Sequence, residues 1–420
     1  MGFSANSSAQ AMRTGTRDVT VASLTAEHVS LWMETPSLLP AGLRTFSRAE
    51  QSSNEKLAEQ TLQRLSRASS PRSATGLLRF VLDALTENLG DGLAEHGRAV
   101  LEQMARTGKE FAVRARVFDP TLSEIQLSQA LRNLWIMNSI QVMCHLPPSL
   151  TPSAFAYSLL YPYTDNILDD PGLTRRKKQG FGLRLGDRLA GRRDHETLAA
   201  GETKIRSLIS MIEEEWPRVH FAAVYESLLA IHRAQEQGAD LRRPLPNASD
   251  EGIVRITFAK GGTSVLAHGF LLLGDLSSGA CRWIFGYGTF LQMIDDLEDY
   301  EEGRSHNQET LFTAARRTAR EELIRRLVSY GDAVIAGFPS PSGETEHALH
   351  HLIRYGCRLL VMQSVAGQPS MAGAAFARRL EAHSPLRFSS LRSLRQRGRD
   401  LQSSKTLNML ALQSRAAASR

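Results

Sequence analysis

The sequence predicts an all-α fold. From about Gly76 onward apolar residues recur with helical rather than two-residue period, no alternation is long enough to build a sheet, and Pro or Gly separates the periodic segments. Leu77, Leu78, Phe80, Val81 and Leu85 fit one helix face, and Leu127, Leu131, Leu134 and Trp135 fit another. Pro147, Pro148 and Pro152 break the chain ahead of a helix containing Pro162, which either kinks that helix or stands in its first turn. Pro171-Gly172 ends it. Further helices are expected over 199–216, 218–237, 250–273, 279–302, 316–336 and 344–364, with no internal repeat.

The 420 residues, 42% of them apolar, suffice for one large helical domain over 76–384. A flexible Ser/Arg-rich extension (1–75) and a basic tail (385–420) are expected to flank it. No run approaches the roughly 18 apolar residues of a membrane span, since Gly274-Asp275 interrupts the stretch at Phe270 to Leu273. Cys144, Cys281 and Cys357 are odd in number and scattered, which reads as buried free thiols in a reducing, cytoplasmic setting. The pI near 9.4 belongs to the tail. From Pro385 onward there are eight basic residues and one acid, Asp400, which leaves 42 basic and 43 acidic residues in the rest. No zinc-finger or RNA-binding motif accompanies this charge, so nucleic acid is not expected as a partner. A solvated tail, a peripheral contact with anionic lipid, or a lid over a bound anion are the readings it supports.

Chemistry concentrates in two aspartate clusters 130 residues apart, Asp165-Asn166-Ile167-Leu168-Asp169-Asp170 and Asp295-Asp296-Leu297-Glu298-Asp299. Asp165 and Asp169 are i and i+4, as are Asp295 and Asp299, so each pair shares a helix face where like charges repel. The first cluster lies at a helix C-terminus, where the dipole disfavours bare carboxylates and a cation must compensate. Hard divalent cations, Mg²⁺ or Mn²⁺, suit such oxygens, usually through one or two carboxylates plus waters and substrate phosphates. Arg175 and Arg176, with Lys177 and Lys178, follow the first cluster at once, as phosphate-binding side chains would. Lys260 sits in an apolar helical stretch with small neighbours, Gly261 and Gly262.

On these motifs the chain, from about Tyr157 to Phe312, resembles the class I isoprenoid synthases, most of all the trans-prenyl diphosphate synthase branch. The resembling residues are Asp165/Asp169/Asp170, then Arg175-Arg176, Phe181-Gly182, Gly186-Asp187, Lys260, and Gln292/Asp295/Asp296/Asp299 followed by Gln308, Thr310, Leu311 and Phe312. Gly261 replaces the family's Thr and Asn166 replaces its second Asp. Asp165 to Asp170, and Asp295 with Glu298, Asp299, Gly303 and Arg304, are also similar to squalene and phytoene synthases. The Gly-Gly-Lys-Arg segment that holds isopentenyl diphosphate has no clear counterpart; Gly108-Lys109 with Arg114 and Arg116 is the nearest basic group.

The resemblance implies a helical bundle with a central cavity, a prenyl diphosphate substrate, and a homodimer. It implies metal binding by Asp165, Asp169, Asp170, Asp295, Asp296 and Asp299, and catalytic roles for Asp165, Asp169, Asp295, Asp299, Lys260 and Arg175. Arg175, Arg176, Lys260, Gln292 and Arg304 would bind substrate, and Tyr157, Tyr161, Phe258, Phe285 and Phe290 are candidates to face a carbocation. The implied reaction is ionisation of a linear allylic diphosphate by a terpene synthase or cyclase. A prenyltransferase and a non-catalytic prenyl-binding paralogue are the alternatives. His347 and His351 are i and i+4 but lack a third ligand, Arg354-Tyr355 is a weak dipeptide match to bacterial terpene cyclases, and His232 and Gln235 are expected to face solvent.

Overall fold

The computed structural model describes residues 19–67, 91–170, 172–192, 200–240, 250–306, 308–341 and 343–403. Among them are sixteen helices and no strand. In chain order they are α1 (Val21–Glu34), α2 (Arg48–Arg67), α3 (Asp91–Phe118), α4 (Glu124–Met143), α5 (Pro152–Asp169), α6 (Arg175–Leu189), α7 (Ala200–Glu215) and α8 (Ala222–Asp240). There follow α9 (Asp250–Leu273), α10 (Ser278–Glu298), α11 (Tyr300–Ser305), α12 (Leu311–Ala314), α13 (Arg317–Ala336), α14 (Glu344–Gly367), α15 (Ala374–Glu381) and α16 (Phe388–Ser403). The helix face expected at Leu77 to Leu85 and the boundary expected at Gly76 lie outside the described residues.

The helices begin where side-chain caps dictate. Ser123, Thr151, Thr174 and Ser277 each accept a hydrogen bond from the backbone N–H three residues on, which satisfies one of the donors a helix start leaves open. Pro162 stands inside α5 rather than in its first turn. A proline there removes the bond to the carbonyl four residues back. That carbonyl, on Ser158, instead receives the side-chain amide of Asn133 from α4 at 3.5 Å.

The packing axis is the pair α9 and α10. A Cβ at Gly261 would collide with Gln292 and the Gly288 carbonyl, and one at Gly288 with the Gly261 carbonyl, so the two backbones touch at these glycines. This contact sets the register that brings Thr257 and Lys260 of α9 level with the aspartates of α10. α9 is long and apolar enough to cross a membrane, but 78% of its most apolar window is buried inside the bundle.

Residues 21–67, which the sequence reading assigns to a flexible extension, form two helices docked on the bundle. Leu24, Thr25, His28, Val29 and Trp32 make one buried stripe on α1, and Trp32 meets Phe258 and Tyr330 edge-on at 6.2 and 5.3 Å. α2 meets the basic end of the chain. Glu55 pairs with Arg387, and Glu59 with Arg397 at 2.6 Å. Part of the tail's positive charge is thereby matched by acids from the N-terminal region. All three cysteines are buried and free, and burial pushes the Cys144 and Cys357 thiols up to about 12.

Candidate functional site

The second cluster closes α10. The Asp296 carboxylate accepts from the Gln292 amide at 3.0 Å and from the Thr257 hydroxyl at 3.4 Å. Burial raises its pKa to about 6; Gln292 and Lys260 oppose the shift and Asp295 adds to it. Asp295 is raised as well, first by the protein packed around it. Arg132 and Lys260 oppose that shift, while Glu298 and Asp165 reinforce it. Asp299 ends the helix and caps nothing with its side chain. The packed helix end, followed by repulsion from Asp295, Glu298, Glu302 and Asp296, holds its carboxyl up at about 7 although it reaches solvent.

The first cluster closes α5 and is arranged differently. Asp165 is half-buried, and its Oδ1 lies 3.4 Å from Lys260 Nζ and accepts from the Gln235 amide at 3.4 Å. Asn166 turns toward α4, with Gln129 Oε1 at 3.5 Å, and helps line a shallow surface hollow with Leu122, Gln126, Leu159, Pro162 and Tyr163. Asp169 is the last residue of α5, and its side chain lies outside the described residues. Asp170 leaves the helix, and its Oδ1 accepts from the Gly172 N–H at 2.7 Å, closing a local turn. Tyr161 sits one turn before Asp165 on the same face.

Lys260 joins the two helix ends. It contacts Asp165 of α5 and acts electrostatically on Asp295 and Asp296 of α10. Arg175 and Arg176 stand exposed in the first turn of α6, where the helix dipole adds to their positive charge. Arg304 is exposed on α11 and lies over the Tyr300 ring at 5.7 Å, close to the second cluster in sequence. Gln292 positions Asp296. Among the described residues no three His, Cys, Asp or Glu side chains converge tightly enough to hold a metal ion by themselves.

Several expectations change. His232 and Gln235 do not face solvent: each is 5% exposed. His232 meets the Gly182 carbonyl at 2.9 Å, and a Cβ at Gly186 would contact its ring, so the Phe-Gly and Gly-Asp motif lets α6 close on α8. Burial lowers the His232 pKa. Of the aromatic candidates, Tyr157, Phe258, Phe285 and Phe290 are fully buried core residues. The Tyr157 hydroxyl donates to Ser264 O at 2.9 Å, Phe258 stacks on Tyr330, Phe285 lies against Gly262, and Phe290 against Gly331. Arg114 lies over Phe155 and pairs with Glu110, while Arg116 pairs with Glu124, so neither joins the aspartates. Arg354 pairs with Asp332 of α13, and His347 and His351 are exposed, their rings stacked at 5.4 Å.

Sequence reasoning missed Arg132, which reaches Asp295 from α4 at 3.4 Å, and Thr257. Thr257 carried a signal, standing three residues before Lys260 and so on the same helix face. Arg132 carried none. No known protein family matches the chain, and neither does any curated protein.

Proposed function

We propose that the protein is a Mg²⁺-dependent class I terpene synthase or cyclase of the isoprenoid synthase type, which ionises a linear allylic prenyl diphosphate and releases diphosphate. One observation supports this above the others: two carboxylate-bearing helix ends, 130 residues apart in sequence, share the ammonium of Lys260. The donor set suits a hard cation. It offers only oxygens, and burial, reinforced by the neighbouring carboxylates, holds Asp295, Asp296 and Asp299 above the ordinary range, so a bound cation would stabilise their charged forms. Mg²⁺ needs no closed protein cage, because it is commonly held by one or two carboxylates with phosphate and water completing its shell.

Asp165, Asp169, Asp295, Asp296 and Asp299 are the residues that would hold the ion. Bound there, Mg²⁺ supplies charge neutralisation for a departing diphosphate. Lys260, Arg175 and Arg176 add fixed positive charge beside the same leaving group as its carbon–oxygen bond breaks. Gln235 and Thr164 orient the Asp165 carboxylate. Arg114 and Arg116, part of the nearest counterpart to an isopentenyl diphosphate site, are engaged by Phe155, Glu110 and Glu124, which favours the cyclase over chain elongation.

A second reading, a non-catalytic prenyl-binding paralogue, draws on Asn166, which stands in place of a second aspartate and turns to Gln129 of α4. One experiment separates these readings: purified protein with Mg²⁺ and geranyl, farnesyl or geranylgeranyl diphosphate, with and without isopentenyl diphosphate. Hydrocarbon or alcohol formed without isopentenyl diphosphate is the expected result. Longer diphosphates formed only when it is added indicate the prenyltransferase, and tight binding without diphosphate release indicates the binding protein.

A further inference from the structure

We infer that Arg132 of α4 is a diphosphate-binding residue that the carboxylate of Asp295 holds in reserve until a divalent cation takes that carboxylate. The inference rests on the reading of the aspartate site just given and adds a residue to it.

The geometry begins with register. Ser139, two turns along the same face of α4, meets Tyr287 of α10, and Arg132 meets Asp295. Moving back seven residues on α4 while moving forward eight on α10 means that the helices run antiparallel, with Arg132 delivered to the mouth of the site. Its guanidinium contacts Asp295, and Glu298, Lys260 and Asp165 act electrostatically on the same carboxylate.

The contact itself is loose. A single Nη1 lies 3.4 Å from Asp295 Oδ1, with the two side chains 55% and 46% exposed. Exposed pairs of this kind hold their partners only weakly. No other hydrogen bond or ion pair involves this side chain among the described residues. Four of the five guanidinium N–H groups are thus available, in the planar fork that matches phosphate oxygens. A divalent cation competes for the same Asp295 oxygen and frees the fork next to the position where the diphosphate arrives. Lys260 and Arg132 then flank that position from α9 and α4, while Arg175 and Arg176 lie on α6.

Titration calorimetry of the purified protein with inorganic diphosphate, in the presence of Mg²⁺, tests this, with Mg²⁺ alone titrated separately. Arg132→Gln is expected to weaken diphosphate binding about tenfold to a hundredfold, the usual worth of a charge-assisted hydrogen bond. The same variant is expected to bind Mg²⁺ alone as tightly as the wild type or more so, because Asp295 loses a competitor. A variant that merely disturbed the fold would instead lose both affinities. Arg132→Lys keeps the charge without the fork and is expected to fall between the two. Wild-type diphosphate affinity in Arg132→Gln would overturn the role of Arg132 and leave the site assignment standing. Failure of the wild type itself to bind diphosphate with Mg²⁺ would overturn the site assignment and this inference together.

Discussion

The ends of α5 and α10 carry similar aspartate clusters and treat them in opposite ways. At α5 the two carboxylates whose side chains are described already have partners. Lys260 and Gln235 share one oxygen of Asp165, Asn166 turns to Gln129, and Asp170 closes the turn to Gly172. At α10 three carboxylates crowd together, with two amide or hydroxyl donors and one long guanidinium contact among them, and all three are held above the ordinary range. Counting aspartates makes the clusters equal, whereas counting compensation makes α10 the end that calls for a cation. Under the proposed function, α10 would supply the affinity for metal and α5 the placement, through Asp165 and the ammonium it holds.

The sharpest way to break that contrast is substitution at matched positions. Asp295→Ala and Asp296→Ala are expected to lower turnover of an allylic diphosphate by about a thousandfold, the upper end of losses when one preorganised charge-stabilising group is removed. Circular dichroism should show unchanged helical content. Asp170→Ala should leave turnover within about twofold of wild type and cost roughly 1 kcal/mol of stability through its lost turn bond. Equal losses in both clusters, read from kcat/KM, would contradict the division of labour.

Lys260→Ala comes next in size. It removes the shared cation, and a drop of about a hundredfold in kcat/KM is expected. Gln235→Leu, which keeps the volume but frees the Asp165 carboxylate, should cost about tenfold, at the scale of one hydrogen bond to a charged group. If Gln235→Leu were as damaging as Asp295→Ala, placement at α5 would matter as much as the charge at α10.

The smallest expected effect is on stability against pH. With Asp296 at about 6 and Asp299 at about 7, the native protein keeps protons that the unfolded chain releases near pH 4. Stability of the metal-free protein should therefore fall as pH rises from about 4 to 7, and Mg²⁺ affinity should rise over its upper part as the carboxylates ionise. Because Asp299 reaches solvent, the stability change should be modest. Thermal melts with and without Mg²⁺ across this window measure both. A midpoint that climbs with pH in the metal-free protein would oppose the assignment.

How much was legible follows from the range of each interaction. The apolar helical period, the i, i+4 spacing and the Pro and Gly breaks are local, so the all-α class and most helix bounds were readable from sequence. The stripe of Leu24, Val29 and Trp32 was also there, but Ser- and Arg-rich surroundings led the reading toward an extension. Arg132 could not be found, because its partner lies 163 residues away and nothing in its own helix marks it. Gln235 and His232 were discounted for a related reason: burial of polar side chains depends on α5, α6 and α8 closing together, and no short window shows that.

Both clusters are expected to act on one diphosphate. A double-mutant cycle on Asp165→Asn and Asp295→Asn, read as Mg²⁺-dependent affinity for inorganic diphosphate, tests it most directly. Shared action predicts strong coupling, with the double variant scarcely worse than the weaker single one. Losses that simply add would mean that the two helix ends work independently, and would contradict the account.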